Sequence, residues 1–334
     1  GLLIGGILIP IFGLIMIGEG SLLDGLSILT TENPDKFKSM GGENDPVPFY
    51  TIFTGMMLVQ LFYWGTNQQI IQRALAAKDL KEGQKGLLLA SFIKILGPLI
   101  VVLPGLIAYH IFEGNLESAD SAYPMLVKKV LPTAWVGFFA AVLFGAILSS
   151  FNSVLNSSVT LFGLDIYKQH INKDANEKTI VKYGKTFGVL LAIAAMFIAP
   201  LIANAGSLFD YLQKVNGIYS IPILTIIIVG YTTKYVPAIA AKIGLFSGCL
   251  LYITYMLIDI YSPEVFSRLH FLDICAILFI LNILIMLIIG YFKPREEAYV
   301  QEYTKQVDIT PWKYLKPVSI AICLIVIGVY IYFT

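Results

Sequence analysis

The sequence has few charged residues for its length. Of its 334 residues, 13% are charged and 57% are hydrophobic, and the mean hydropathy is +0.76. Average soluble proteins carry about 25% charged residues. A deficit of this size along the whole chain excludes an ordinary soluble domain and predicts an all-α polytopic membrane protein. The formal net charge of +1 gives no basic footprint for a nucleic-acid partner.

Cysteine and histidine are also scarce. The three cysteines lie inside apolar runs and the three histidines are isolated from one another; they are Cys249, Cys275, Cys323, His110, His170 and His270. Their spacing indicates neither a disulfide framework nor a metal centre built from these residue types. Buried packing is the simpler interpretation of the cysteines.

The chain begins without methionine, a basic leader or a signal-peptide cleavage pattern. Its opening run, GLLIGGILIPIFGLIMI, is apolar from the first position. The sequence therefore predicts that the chain begins inside a membrane span, and we expect N-terminal helices of the same protein to precede it.

About nine stretches are long and apolar enough to cross a bilayer, which takes about 20 residues as a helix. They are 1–17, 48–72, 84–112, 133–166, 181–203, 207–232, 237–260, 269–292 and 314–333. If the loop 18–47 faces outside and the sides alternate, the inside loops and helix ends hold 16 basic residues and the outside ones hold 5. This bias follows the positive-inside rule and supports the predicted topology.

The span 48–72 carries an unusual number of polar side chains at its end, where residues 60–73 read QLFYWGTNQQIIQR. A buried amide without a partner costs about 2–7 kcal/mol. The stretch therefore lines a wet cavity, or it forms the interfacial end of the helix, where tyrosine and tryptophan are enriched. Arg73 at the inner water boundary would place Tyr63 about 15 Å deep. Gly65 would let the helix unwind there, as in transporters with discontinuous helices.

Lys94 is a second polar group at membrane depth, within GLLLASFIKILGPLIVVLPG. Intramembrane lysines usually face the bundle interior or water and mark functional sites. Snorkelling to the interface is the alternative, because Lys94 lies only about two turns past Gly86.

A stripe of small residues runs along GAILSSFNSVLNSSVTLFG at i, i+3, i+4 spacing. Its members are Ala146, Ser149, Ser150, Ser153, Ser157 and Thr160. Such a stripe is typical of close helix packing in membranes. The adjacent hydroxyls could instead supply oxygen ligands to a bare Na+.

The fourth polar stretch, LFDYLQK at 208–214, enters an apolar run. Asp210 and Lys214 are i, i+4 partners that would pair at the outer boundary. The Gln213 amide both donates and accepts, so it can bond a sugar hydroxyl in either sense. It could equally satisfy the backbone of a neighbouring helix.

Three segments, taken in order, make the sequence resemble the sodium/solute symporter family. They read YWGTNQQIIQRALAAKDLKEGQKG, GAILSSFNSVLNSSVTLFGLDIYK and LFDYLQ. The nearest branch is the sodium/glucose cotransporters, in particular the bacterial sodium/galactose type. The resemblance covers the whole chain and is strongest over 44–232.

The resemblance implies an inverted-repeat fold of the amino-acid-transporter type, with two five-helix repeats plus extra helices. Residues 1–334 would form a single transmembrane transporter domain. Within it, 1–17 would be the last helix of the first repeat, 48–232 the second repeat, and 237–334 the C-terminal extra helices. The remaining first-repeat helices, which supply the other half of both binding sites in the family, would be missing here.

The resemblance also assigns roles to nine residues. The sugar contacts would be Gln60, Tyr63, Trp64, Lys94, Phe209 and Gln213. The second-repeat half of the sodium site would consist of the Ala146 carbonyl and the hydroxyls of Ser149 and Ser150. Gln60 stands where the galactose transporter has an asparagine, so this position keeps the amide but lengthens the side chain.

The implied function is Na+-coupled symport of a galactose- or glucose-type monosaccharide by alternating access. The protein would lie in the cell membrane, the inner one in a Gram-negative source, with the lipid bilayer, the sugar and Na+ as partners. Na+ would be the coupling ion, with no organic cofactor and no enzyme activity. Another solute such as inositol and a non-transporting sugar sensor are the alternatives. No selectivity-filter motif supports an ion channel, and no obvious intramembrane arginine supports an organic acid.

Overall fold

The computed structural model describes residues 1–334 except 43, 44, 46, 117, 203–207, 268 and 302–306, and excepting also the side chains of Leu2, Phe209 and Asp210. The predicted all-α class is confirmed, since 80% of the chain is helical and the described part contains no strand. The side chain of the predicted contact Phe209 lies outside the described part. So do Arg268 and Lys305, one counted above among the outside basic residues and one among the inside ones, and the predicted span limits 203 and 207.

The described residues form α-helices separated by short 3₁₀ and π-helical turns. The α-helices are α1 (Leu2–Ile17), α2 (Leu22–Glu32), α3 (Gly55–Gly65), α4 (Gln68–Leu75), α5 (Leu80–Lys94), α6 (Leu103–Ile111), α7 (Ala122–Val130), α8 (Thr133–Leu161), α9 (Glu177–Ile202), α10 (Leu208–Thr232), α11 (Ala238–Tyr261), α12 (Phe271–Phe292) and α13 (Leu315–Tyr332).

Six helices in the described part are long and apolar enough to cross a membrane: α8 with its π-helical continuation to Ile171, and α9 to α13. Two bent pairs raise the number to eight if each is one span, namely α1 with α2, bent by 80°, and α5 with Pro98–Ile111, bent by 40°. The one predicted span not included in these eight, 48–72, is divided among a 3₁₀ turn, α3 and α4. The chain is therefore a multi-pass membrane protein.

The bend in the predicted span 84–112 follows from Pro98. Proline has no N–H, so the Lys94 carbonyl loses its usual helical donor. Just before the proline, the N–H groups of Ile95 and Leu96 donate to the carbonyls three residues earlier, rather than the four of a regular α-helix, at 3.1 and 3.0 Å. This tightens the end of α5, and a π-helical turn over Pro98–Val102 then leads into α6.

The predicted outer loop 18–47 contains α2, which folds back beside α1. The Ser21 hydroxyl caps the N-terminus of α2 by accepting the Asp24 N–H at 3.2 Å. Gly25 lies so close to α1 that a Cβ there would be 1.9 Å from the Leu14 carbonyl oxygen. The turn uses Gly20 at φ 112°, a conformation that favours glycine.

One compact unit comprises Gly1–Ser39, Ala76–Leu208 and Thr310–Thr334. Its core contains Ile9, Leu14, Leu29, Ile107, Ala108, Leu126, Val130, Leu131 and Phe139. A Cβ on Gly188 would lie 2.8 Å from Val159, so α8 and α9 approach each other closely. Small residues permit such close approach between membrane helices.

The other compact unit comprises Met40–Leu75 and Phe209–Ile309. Its main core contains Leu58, Phe62, Ile221, Leu224, Tyr252, Tyr255, Ile274, Cys275 and Leu278, from α3, α10, α11 and α12. Gly55 lets α3 approach α12, because a Cβ there would be 1.9 Å from the Leu272 carbonyl oxygen. The predicted repeat boundaries remain predictions.

Candidate functional site

The polar stretch 60–73 contains a helix break. α3 ends at Gly65 and α4 begins at Gln68. The N–H groups of Thr66 and Asn67 both donate to the Phe62 carbonyl, at 2.9 and 3.0 Å. The Tyr63 carbonyl is thereby left without its usual helical donor, so the break exposes main-chain polar groups beside the candidate side chains.

Three candidate sugar contacts lie on the exposed side of α3. Leu58 and Phe62 are buried on the opposite side, whereas Gln60, Tyr63 and Trp64 are exposed. This separation follows from helix periodicity, since residues at i and i+4 share one side. α3 is therefore fixed by its apolar side and presents an amide and two aromatic rings on the other.

The Gln60 amide is oriented by its neighbours on α3. Its Oε1 accepts the Trp64 indole N–H at 3.1 Å, and its Nε2 contacts the Met56 sulfur at 3.6 Å, a weak acceptor. The Tyr63 and Trp64 rings meet edge to face, with centroids 5.3 Å apart. A stronger acceptor than sulfur, such as a sugar hydroxyl, could replace the contact made by Nε2.

Gln60 and Trp64 line an open groove of about 540 Å³ along α3. Its other walls are Ile52, Met56, Met57, Leu61 and Gly65. Tyr63 lies outside this groove.

Gln213 lies on α10 and is half-buried. Among the described residues its amide makes no hydrogen bond, so its donors and acceptor are available to a ligand. Gln213 lies six residues before Tyr219, about 9 Å along the helix. The Tyr219 ring contacts Phe62 of α3 edge to face, with centroids 5.7 Å apart.

Lys214, which the sequence predicts to pair with Asp210, contacts a carboxylate on another helix. Lys214 Nζ donates to the Asp259 carboxylate of α11 at 3.0 Å. The Asp210 side chain lies outside the described part of the structure, so the expected i, i+4 pair stays a prediction. Sequence spacing could not reveal Asp259 as the partner, because the two residues are 45 positions apart.

Lys94 is the last residue of α5, at the bend before Pro98. A basic side chain there complements the negative end of the helix dipole. The Lys94 side chain is exposed. The structure therefore places Lys94 at an irregular point of a membrane span, where non-helical backbone usually lines a cavity.

The candidate sodium ligands lie on α8. Ser149 and Ser150 are exposed, and Ala146 is partly buried. Neither serine hydroxyl makes a hydrogen bond to the described residues. The Ala146 carbonyl lies within the helix, yet a carbonyl oxygen bonded to one N–H retains a second lone pair. These oxygens suit a hard cation, which prefers such ligands.

The small-residue stripe on α8 serves packing in its second half. Ser153 and Ser157 are buried, at 9% and 6% exposure, on the part of α8 that meets α9. Ser153 donates back to the Ser149 carbonyl at 2.9 Å. The two interpretations of the stripe thus apply to different residues, with packing at Ser153 and Ser157 and available oxygens at Ser149 and Ser150.

The structure groups the candidate residues by compact unit. Gln60, Tyr63, Trp64, Phe209 and Gln213 belong to one unit. The other four candidates, Lys94, Ala146, Ser149 and Ser150, belong to the other unit. Within the described part, no group of three or more histidine, cysteine or acidic side chains could hold a metal ion. A cation site here would depend on hydroxyl and carbonyl oxygens.

Comparison with protein families gives a match over most of the chain. The model of the sodium:solute symporter family matches residues 2–248. This region contains every candidate sugar and sodium residue named above.

Individual relatives match along much of the chain. An uncharacterized symporter of Escherichia coli (strain K12), YidK, is 47% identical over 331 residues, covering 99% of this chain and 57% of the relative. A sodium/glucose cotransporter of Vibrio parahaemolyticus is 36% identical over 248 residues, covering 68% and 46%. A human sodium/myo-inositol cotransporter 2 is 30% identical over 288 residues, covering 77% and 42%. The chain spans about half the length of these curated relatives.

Proposed function

Because the chain belongs to the sodium:solute symporter family, we propose that the protein couples Na+ entry to the uptake of a galactose- or glucose-type monosaccharide. The family and the names of its relatives indicate a transporter rather than an enzyme. Na+ is the coupling ion that the family name implies. The substrate and the residues that bind it belong to our proposal.

The half-buried amide of Gln213 is the observation that carries the sugar assignment. It lacks a hydrogen-bond partner among the described residues, and a polar group left unpaired in an apolar surrounding is costly. A sugar ring presents hydroxyls that donate and accept, as the amide does. We assign Gln213 and Gln60 to these hydroxyls, with Tyr63 and Trp64 contacting the apolar face of the ring.

The remaining assignments follow from the resemblance to the family. Lys94 would donate to a sugar hydroxyl from the bend at the end of α5, and Phe209 would contribute an apolar contact from the start of α10. The Ala146 carbonyl and the hydroxyls of Ser149 and Ser150 would hold Na+. Three oxygens are few for a hard cation, so other residues of the protein would complete its coordination.

The energy for uptake would come from the ion. One charge moving down the membrane potential supplies about 2.3 kcal/mol per 100 mV. Since about 1.4 kcal/mol corresponds to a tenfold concentration ratio, this potential alone would support a roughly 50-fold sugar gradient. Alternating access would then expose both sites first to one side of the membrane and then to the other.

Inositol is the second candidate substrate. A relative that matches 77% of this chain is named a sodium/myo-inositol cotransporter. Inositol presents a ring of hydroxyls to which the Gln60 and Gln213 amides could also bond. Gln60 is longer than the asparagine at this position in the galactose type. The choice between a monosaccharide and inositol is therefore made by the uptake experiment below.

Uptake into proteoliposomes tests the proposed function. The purified protein would be reconstituted and supplied with labelled galactose, glucose or myo-inositol, with and without an inward Na+ gradient. Gln213→Ala would be compared with Gln169→Ala, which removes an exposed amide outside the candidate site. We expect Na+-driven accumulation of one of the sugars and a rise in KM of about five- to tenfold for Gln213→Ala, since a lost hydrogen bond costs about 1–1.5 kcal/mol.

Three outcomes would change the proposal. Accumulation of myo-inositol alone would move the substrate to the second candidate. Equal KM values for Gln213→Ala and Gln169→Ala would remove Gln213 from the site. Sugar binding without accumulation under any gradient would favour a sensor over a transporter.

A further inference from the structure

A crevice of about 280 Å³ lies at the junction of α10, α11 and the segment that follows α12, and the proposed transport does not use it. Its walls include Ile226 and Gly230 of α10, Ala241 of α11 and Met286 of α12, with Arg295 and Tyr299 from the following segment. We propose that this crevice binds an anionic phospholipid. The headgroup phosphate would contact Arg295, and the adjoining part of the acyl chain would lie along Ile226 and Gly230.

Exposed aromatic residues place the crevice at the membrane surface. Tyr231 at the end of α10 and Tyr291 and Phe292 at the end of α12 are 74%, 82% and 75% exposed. Tyrosine and other aromatic side chains at the ends of spans are typical of the headgroup level. Tyr231 itself lines the crevice, which therefore lies where a lipid changes from headgroup to acyl chain.

The basic residues around the crevice suit an anionic ligand. Lys234 follows α10 and Lys293 follows α12, and both lie in loops that the positive-inside rule assigns to the inner side. Basic pockets between membrane helices on that side bind anionic headgroups. Glu296 and Glu297 are exposed nearby, but neither forms an ion pair with Arg295 in the described part of the chain.

Arg295 is held in place but remains available. Its main-chain N–H donates to the Tyr235 carbonyl at 2.9 Å, and the Tyr299 N–H donates to the Lys234 carbonyl at 2.9 Å. The guanidinium lies over the Tyr299 ring, 5.4 Å from its centroid. No carboxylate among the described residues pairs with it. A guanidinium presents a planar fork of donors that matches phosphate oxygens.

The size and walls of the crevice favour part of a lipid over a soluble anion. A volume of about 280 Å³ is at the lower limit of pockets that enclose small molecules, which span about 300–1,000 Å³. Met286, which is 1% exposed, is one of its apolar walls. A phosphate with an attached chain would use both the charged and the apolar walls, whereas a free phosphate would use only Arg295.

Lipid retention measured by native mass spectrometry tests the proposal. The purified protein in detergent would be titrated with phosphatidylglycerol or phosphatidylcholine. Two matched pairs of variants separate the crevice from general effects. Arg295→Gln is paired with Lys316→Gln, which removes one exposed charge from α13. Gly230→Leu fills the crevice, and Gly328→Leu adds the same side chain to α13; a Cβ at either glycine meets nothing within 4 Å.

We expect wild-type protein to retain phosphatidylglycerol over phosphatidylcholine. Arg295→Gln should weaken that retention about tenfold, the effect of losing a charge-assisted hydrogen bond. Gly230→Leu should weaken it as well, whereas Lys316→Gln and Gly328→Leu should stay within about twofold of wild type. Equal retention of the two lipids, or unchanged retention by Arg295→Gln, would overturn the proposal. Displacement of phosphatidylglycerol by an equal concentration of glycerol 3-phosphate would also overturn it, because it would identify a site for soluble anions.

Discussion

The helix pair α8–α9 and the bundle α10–α12 differ sharply in how much of their apolar length is buried. In an 18-residue apolar stretch of each helix, only 6% of the residues are buried in α8 and in α9, compared with 39% in α10 and 33% in α12. All four helices are apolar enough to cross a membrane. Hydropathy is therefore a poor guide to which spans form a core within the described chain.

Polar side chains behave differently in the two regions. On α8 the hydroxyls of Ser149 and Ser150 are exposed and available. In the α10–α12 bundle, Ser220 and Asn282 are buried at 0% and 1% exposure, and their Oγ and Nδ2 atoms make no hydrogen bond to the described residues. In our proposal, α8 provides ligand atoms, whereas α10–α12 forms the packed support for Gln213.

The largest effect should come from crowding the bundle. A Cβ on Gly217 of α10 would lie 2.2 Å from the Tyr252 hydroxyl, and Tyr252 is fully buried. Gly217→Ala should destabilise the protein by about 1–3 kcal/mol, as overpacked cores do. Thermal unfolding of the purified protein in detergent would measure the loss.

Gly145→Ala on α8 is the matched control. A Cβ at Gly145 meets nothing within 4 Å. Alanine is the better helix former by about 1 kcal/mol, so the midpoint should stay unchanged or rise. A fall as large as that of Gly217→Ala would show that α8 is packed as tightly as α10, and the comparison would fail.

An intermediate effect should follow from removing the α8 hydroxyls. Ser149→Ala with Ser150→Ala should raise the Na+ concentration for half-maximal uptake about tenfold, because two oxygen ligands are lost. Folding should be little affected, since neither hydroxyl makes a hydrogen bond to the described residues. Sodium titrations of sugar uptake would measure the change.

Ser158→Ala provides the control on the same helix. The Ser158 hydroxyl donates to the Val154 carbonyl at 3.0 Å and is not a candidate ligand. Its Na+ dependence should match that of wild type. The same shift in both variants would indicate a general change in α8 rather than the loss of ligands.

The smallest effect should come from Asn282→Leu in α12. The Asn282 Oδ1 accepts a long hydrogen bond of 3.4 Å from Ser247, whereas Nδ2 has no partner in the described part. Replacing a poorly satisfied amide by an apolar group of similar size is often nearly neutral. We expect a change in unfolding free energy within about 1 kcal/mol, measured by thermal unfolding. A loss of several kcal/mol in unfolding free energy would contradict this expectation and show that the Asn282 Nδ2 group makes a stabilising hydrogen bond.

The sequence predicted the helical class and most spans because hydropathy alone determines them. Hydropathy did not predict the bend near Lys94. The run 84–112 reads as one span, but Pro98 removes the donor to the Lys94 carbonyl and bends it. The opposite happened at α2, where a predicted loop forms a helix because Ser21 caps it and Gly25 packs against α1.

The candidate site was predicted as residue types but not as contacts. The hydrogen bond from Trp64 to Gln60 is an i, i+4 pair that helix periodicity could have revealed. The pairing of Lys214 with Asp259 joins two helices, and a single sequence gives no signal for it. Which serines of the stripe are packed and which keep available hydroxyls depends on where α9 contacts α8. Sequence spacing does not determine that contact.

Tryptophan fluorescence of sugar binding tests the central claim most directly. Trp135→Phe and Trp312→Phe would leave Trp64, which lines the α3 groove beside Gln60, as the remaining tryptophan of this sequence. Coupling of two ligands is reciprocal, so Na+ should strengthen sugar binding. We predict that sugar changes the Trp64 emission in Na+ and much less in K+, with Ser149→Ala shifting the Na+ midpoint. The same sugar-induced change in Na+ and K+ would contradict a sodium-coupled sugar site.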